Sequence, residues 1–142
     1  MHARLIPELD VSDLQVSLRF YLDLIGFQLS YQRPEERFAR LNFEGAELML
    51  QEATGPGRRF RTASLEKPFG RGVNFQIQSN DTDKLYERVL GAGKEIVIPL
   101  EEIWYRAAEH ELGNKQFVLA DPDGYLLRFF TDLGSRPCAS TR

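Results

Sequence analysis

The sequence has little cysteine, little histidine and no long apolar run. Cys138 is the one cysteine among 142 residues, which excludes a disulfide within the chain and a metal site built from cysteines. The two histidines, His2 and His110, fall in a terminus and in a predicted loop, where we expect surface positions. No stretch approaches the roughly 20 apolar residues of a membrane-spanning helix, and the first residues lack the apolar run of a signal peptide. We therefore expect a soluble, cytoplasmic protein.

An excess of charge of one sign is also lacking. The 18 basic and 21 acidic residues leave a net charge of −3, so a basic surface for nucleic acid or anionic lipid is not expected. Neither a phosphate-binding loop ending in Gly-Lys-Ser/Thr nor a G-x-S-x-G nucleophile motif occurs. With 42% hydrophobic and 27% charged residues, the composition is that of an ordinary globular protein, and the length suits one domain.

Two stretches with the same pattern are separated by an irregular linker. Each reads strand, helix, strand, strand, strand, because apolar residues recur with a helical period between runs that alternate every second residue. The first stretch predicts strands at 3–11, 27–33, 37–43 and 46–52. It also predicts a helix at 14–25, capped by Ser12 and Asp13 and ended by Gly26. A linker containing Gly and Pro covers 53–71. The second predicts strands at 72–78, 95–100, 115–120 and 125–132, a helix capped by Asn80 and Asp81, an irregular segment up to Gly113 and a flexible tail at 133–142.

The two stretches align without a gap over their helices. Ser12 corresponds to Ser79, Leu18 to Leu85 and Gly26 to Gly93, each pair 67 residues apart. A duplicated module is the simplest explanation. We predict an α+β fold made of module one at about 3–52 and module two at about 72–132.

The strand at 73–78 separates its side chains cleanly onto two faces. Val73, Phe75 and Ile77 alternate with the three amides Asn74, Gln76 and Gln78. The apolar face is expected to pack on the helix. The amide face either meets water, as in a one-sided sheet, or forms the wall of a cavity that binds a ligand.

The same parity applied to the other strands predicts a mixed polar and apolar lining, as expected of a small-molecule site. The candidate ligand-binding residues on these strands are Glu8, Glu47, Met49, Gln51, Asn74, Gln76, Gln78, Arg128 and Phe130. Arg128 has a structural alternative, because an interior cation needs a partner and Glu8 or Glu47 could supply it.

Two segments carry a family resemblance. SDLQVSLRFYLDLIGF (12–27) resembles the opening helix, and FVLADPDGYLLRFF (117–130) the closing hairpin, of the vicinal oxygen chelate superfamily, which includes glyoxalase I, extradiol dioxygenases and bleomycin resistance proteins. The resemblance covers about residues 5–132. It implies a single domain at 1–132, in which two tandem βαβββ modules with curved mixed sheets form a cup, and it implies a homodimer.

The resemblance also locates the four positions where family enzymes hold a divalent metal. They fall on Ile6 (or Pro7), Met49 (or Gln51), Asn74 and Arg128. Isoleucine and methionine supply no hard oxygen or imidazole ligand, and arginine would place a permanent cation at the metal position. We therefore expect no metal, no other cofactor and no catalytic residue, as in the bleomycin resistance branch.

That branch implies a bacterial-type antibiotic-resistance protein that sequesters a drug, or a similar cationic or aromatic ligand, in a dimer cleft without altering it. Trp104 and Tyr105 are added as ligand-binding residues, although they could equally be packing residues of a long loop. The branch's Trp-Gly pair is replaced here by Leu112-Gly113. Two other functions stay open: a metal-dependent glyoxalase or dioxygenase-type enzyme with a non-standard site, and a structural or regulatory dimer with a closed cup.

Overall fold

A computed structural model describes residues 2–139, which form two compact units. One unit contains the residues up to Val73 together with Asp121–Tyr125, and the other contains Asn74–Ala120 together with the residues from Leu126 onward. Each unit holds one four-stranded mixed sheet and one helical segment. The single domain spanning 1–132 stays a prediction.

The first unit has the strand order β1-β4-β3-β2. Strand β1 is parallel to β4, and the other neighbours are antiparallel. The elements are β1 (Glu8–Val11), helix α1 (Leu14–Leu18) with its π-helical continuation (Arg19–Ile25), β2 (Gln28–Arg33), a 3-10 turn (Pro34–Glu36), β3 (Phe38–Phe43) and β4 (Ala46–Glu52). The predicted strand at 3–11 is therefore shorter, since it begins at Glu8.

The second unit repeats this plan with the order β5-β8-β7-β6. Its elements are β5 (Asn74–Gln78), helix α2 (Thr82–Gly91), β6 (Ile96–Ala107), β7 (His110–Ala120) and β8 (Leu126–Pro137). Strand β5 is parallel to β8, whereas β6, β7 and β8 are antiparallel. The predicted α+β class and the tandem βαβββ repeat are both confirmed.

Both helices begin where the sequence predicts a cap. The Asp13 carboxylate accepts hydrogen bonds from the backbone N–H groups of Gln15 and Val16, and Asp81 accepts one from Lys84. Gly26 ends the first helical segment with a φ of +105°, in the left-handed region that glycine tolerates. No helix within residues 2–139 is long and apolar enough to cross a membrane.

The core of the second unit lies between its sheet and α2. Phe117 and Phe129 are fully buried, with ring centroids 5.9 Å apart, and Tyr86 of α2 packs at 5.0 Å from the Phe117 ring. Ile77 is buried on the same side. Val73, which we predicted to face the helix with it, lies before β5 begins and is exposed, so that assignment is wrong.

The prediction of an irregular segment from 101 to 113 is also wrong. Strands β6 and β7 form a long hairpin through this region, closed by a turn with Ala108 at a φ of +59°. The segment has many charged and few aliphatic residues, a composition that is typical of a loop. Charged side chains are nevertheless ordinary on an edge strand such as β6, where they discourage pairing with other chains.

The predicted flexible tail is part of β8 as far as Pro137, which pairs with His110 of β7. Arg136 anchors this end, because its Nε lies 2.8 Å from a Glu111 carboxylate oxygen and its guanidinium stacks on the Trp104 ring at 3.9 Å. Residues 140–142 of the predicted tail lie outside the described residues.

The turn D-P-D-G-Y (121–125) is an anchor of the first unit. One Asp121 oxygen accepts three backbone N–H groups at 2.9 Å, and the other accepts the Tyr21 hydroxyl at 2.8 Å. Asp123 accepts the backbone N–H and the hydroxyl of Ser12 at 3.0 and 2.5 Å. The Tyr125 hydroxyl donates to the Asp10 carbonyl at 2.9 Å. The D-P-D-G-Y part of the resemblance motif is thus explained by its structural role rather than by chemistry at a ligand.

We predict that Asp121→Ala lowers the free energy of unfolding by about 3 kcal/mol, because each of three backbone donors loses an acceptor worth about 1 kcal/mol. Urea denaturation followed by circular dichroism measures the change. Asp132→Ala is the control, because this exposed carboxylate accepts a single backbone N–H, from Gly134. Equal losses in the two variants would contradict the anchoring role of Asp121.

Candidate functional site

The face of the second sheet opposite α2 carries a row of paired side chains. We call it the cavity face. Gln76 pairs with Arg128, Arg128 with Val118, and Val118 with Ile98 across four strands. Residues directly paired across strands project on the same side. The predicted alternation in β5 therefore places its amides on the cavity face, and all three are exposed.

A cavity of about 300 Å³ lies on this face. Half of its lining residues are apolar and half carry hydrogen-bonding groups, as is usual for small-molecule sites. They are Asn74, Val97, Ile98, Glu101, Ile103, Tyr105, Gln116, Val118, Leu126 and Arg128.

Only part of the predicted ligand-binding set meets here. Asn74, Tyr105 and Arg128 line the cavity. Gln76, Gln78 and Phe130 lie on the same face by register, outside the lining. Glu8, Glu47, Met49 and Gln51 belong to the first unit.

Three side chains form a hydrogen-bonded chain at the cavity. The Asn114 amide donates to Gln116 Oε1 at 3.3 Å, and Gln116 Nε2 donates to the Tyr105 hydroxyl oxygen at 2.7 Å. Arg128 Nη1 lies 3.5 Å from the same hydroxyl oxygen. Since the Tyr105 oxygen accepts both contacts, its own proton is available to a further acceptor.

Arg128 is the one cation in the lining and has no ion pair within its unit among the described residues. Its Nε is buried and has no hydrogen-bond partner among the residues that the structure describes. Glu47, which we considered as a structural partner for this arginine, instead receives two hydrogen bonds from Arg40, at 3.1 and 2.9 Å.

Trp104 and Tyr105 project to opposite faces because they are neighbours in a strand. Trp104 packs over Gly113, where an added Cβ would lie 2.7 Å from the indole ring, and its Nε1 donates to Glu102 at 3.0 Å. The Leu112-Gly113 pair noted in the sequence thus provides space for this ring. Trp104 does not line the cavity, and its role in ligand binding stays a prediction.

The four candidates in the first unit lie on or beside a second polar face. By register, Glu8 pairs with Met49, Met49 with Arg40, and Arg40 with Tyr31. The Gln51 amide is buried and donates to Asp10 at 2.9 Å, so it is already used within the unit. Arg61 from the linker holds the other Asp10 oxygen at 3.1 Å.

Arginine side chains alter two titrating groups of this unit. The Arg40 guanidinium, followed by Arg33, lowers the pKa of the Tyr31 phenol because both cations favour the phenolate. The backbone N–H of Ala3 and then Arg40 lower the pKa of Glu47 by hydrogen bonding to its carboxylate. Burial raises the pKa of Tyr125 to about 12.

We predict that Tyr31 ionises below the ordinary tyrosine pKa of about 10. NMR titration of ring-¹³C-labelled tyrosine, with the signal assigned through Tyr31→Phe, measures this pKa. Arg40→Gln should raise it, whereas Arg58→Gln should not, because Arg58 packs on Phe60. A Tyr31 pKa at or above 10 would contradict the assignment.

The residues at the family's metal positions do not fit a metal centre. Within the two units taken separately, they offer a thioether at Met49, the Gln51 amide bound to Asp10, the Asn74 amide and the Arg128 guanidinium. A guanidinium has no lone pair to give to a metal. Among residues 2–139, no group of three or more His, Cys, Asp or Glu side chains is placed to hold a metal ion.

The family model described as the Glyoxalase/Bleomycin resistance protein/Dioxygenase superfamily matches residues 6–129. The chain belongs to this superfamily. It is 29% identical over 141 residues to a bleomycin resistance protein of Geobacillus stearothermophilus, covering 92% of this chain and 97% of that protein. A bleomycin resistance protein of Staphylococcus aureus matches with the same identity and coverage.

Two solved structures share this fold, one of which is named as a member of the superfamily. TioX from Micromonospora sp. ML1 has a TM-score of 0.66 at 24% identity, covering 92% of this chain and 99% of that one. A member from Alicyclobacillus acidocaldarius has a TM-score of 0.62 at 23% identity, covering 91% and 90%.

Proposed function

We propose that the protein is a metal-free binding protein that sequesters a small molecule, a drug or a similar aromatic or cationic compound, without altering it. The observation that carries this proposal is the cavity of about 300 Å³ with mixed lining on the second sheet. The bleomycin resistance relatives support the ligand class.

The chemistry of the lining favours binding over reaction. A general acid–base reaction needs a group positioned to take or give a proton near neutral pH. The lining contains one carboxylate, on the exposed Glu101, and neither an imidazole nor a thiol. Its other groups, two amides, a phenol and a guanidinium, are suited to hydrogen bonding and stacking.

We further propose a homodimer in which a second copy covers the cavity face. Strand β6 is an edge strand of its sheet, and Val97, Ile98 and Tyr105 on it are exposed. Apolar side chains beside an open cavity gain from burial against a partner. Such a cleft would enclose a ligand that one chain contacts from a single side.

Metal-free bleomycin should bind the purified protein with a dissociation constant below about 1 μM in titration calorimetry, which corresponds to about −8 kcal/mol. Leu126→Trp places an indole in the cavity and should weaken binding by about tenfold or more. The control is Leu133→Trp, the same change on an exposed residue of β8 outside the lining.

Both variants are compared with the parent protein by thermal melting, so that lost binding is separated from lost folding. Absence of binding heat from the parent protein at high drug concentration would remove bleomycin as the ligand. Equal affinities of the two folded variants would remove the cavity as the site. Stoichiometric zinc, iron or manganese in protein purified without chelator would overturn the metal-free proposal.

A further inference from the structure

The cavity contains a cation, Arg128, that forms no ion pair among the described residues of its unit. Arg128 lies on β8 between Gln76 and Val118, is half-buried, and has its Nε shielded from water without a hydrogen-bond partner among the described residues. Leaving a buried donor unsatisfied costs free energy, and the cost is larger for a charged group. By contrast, Arg136, Arg40 and Arg33 each lie 2.8–3.3 Å from a carboxylate oxygen.

Building on the proposed binding function, we propose that the ligand carries an oxyanion, a carboxylate or a sulfonate-like group, which pairs with Arg128. An oxyanion satisfies the guanidinium through charge-assisted hydrogen bonds, which are about twice as strong as those between neutral groups. The apolar body of the ligand then lies along Val118, Ile98 and Leu126.

A second donor converges on the same place. The Tyr105 oxygen already faces Gln116 Nε2 at 2.7 Å and Arg128 Nη1 at 3.5 Å. Its proton must therefore be donated elsewhere, and the oxyanion beside Arg128 is an acceptor within reach. Arg128 and Tyr105 together form an anion-binding pair, and Gln116 orients the phenol.

The opposite wall carries the opposite charge. Glu101 on β6 lines the cavity and is separated from β8 by β7, so its backbone lies roughly 10 Å from that of Arg128 at two strand spacings. This carboxylate disfavours a second anionic group and favours a cationic one. The site therefore selects a monoanion or a zwitterion with its positive end toward Glu101, which is compatible with a drug that also carries cationic groups.

Two fluorescent dyes with one aromatic skeleton test the inference. 1-Anilinonaphthalene-8-sulfonate carries an anionic sulfonate, and N-phenyl-1-naphthylamine lacks it. The sulfonated dye should bind the parent protein more tightly, with one site per chain. Arg128→Met should weaken its binding by about tenfold or more and leave the neutral dye within about twofold. Arg128→Lys should retain part of the affinity, since it keeps the charge but not the fork of donors.

Arg106→Met is the matched control, because it removes the same charge from an exposed position on β6 outside the lining. It should leave both dyes unchanged. Added salt should weaken the binding of the sulfonated dye to the parent protein but not to the Arg128→Met variant.

The outcomes separate this inference from the proposed function. In one outcome, the protein binds both dyes equally, Leu126→Trp abolishes binding of the neutral dye, and Arg128→Met has no effect. That result supports the cavity as a binding site and overturns the oxyanion. Equal loss of sulfonated-dye binding in Arg128→Met and Arg106→Met also overturns it, because net charge alone would then explain the effect. Absence of saturable binding by either dye overturns the oxyanion, whereas the cavity is then decided by the effect of Leu126→Trp on bleomycin binding.

Discussion

The hydrogen bonds to the Asp121 carboxylate are the interaction on which the first unit depends. They connect a turn near the end of the sequence to Tyr21 of the first helical segment, 100 residues earlier in the chain. Burial raises the pKa of Asp121, while the phenol and the backbone donors that surround it act in the opposite direction. Asp123 extends the same arrangement to Ser12. An aspartate pair at these positions therefore fixes where β1 ends and where the first helix begins.

The fold could be predicted largely from local signals. The caps Asp13 and Asp81 and the stop at Gly26 depend on neighbours within a few residues, and each is found as expected. The hairpin of β6 and β7 was missed because its stability comes from cross-strand contacts, among them Trp104 over Gly113 and Glu111 with Arg136. Such contacts need the register, which composition does not provide.

The sequence predicts which face of the sheet the site residues occupy, but not which residues line the cavity. Alternation alone places Asn74 and Arg128 on one face, because β5 and β8 were correctly read as strands. Gln116 lies outside the predicted set, although its alternation with the buried Phe117 along β7 indicates the face that it occupies. If β6 is read as a strand, alternation also places the side chains of Trp104 and Tyr105 on opposite faces of the sheet. The hydrogen bond from Gln51 to Asp10 could not be foreseen, because the two residues are 41 positions apart in the sequence.

The composition of the first unit has a consequence for synthesis and for gene history. Asp121–Tyr125, which completes this unit, is encoded after Asn74–Ala120, the larger part of the second unit. On the ribosome, the N-terminal segment must wait for the chain to be almost finished before Tyr21 and Ser12 find their acceptors. An ancestral half-length gene ending near residue 73 would have lacked this turn. In a duplicated gene, the dependence of the first half on this turn could arise only once both halves shared one reading frame.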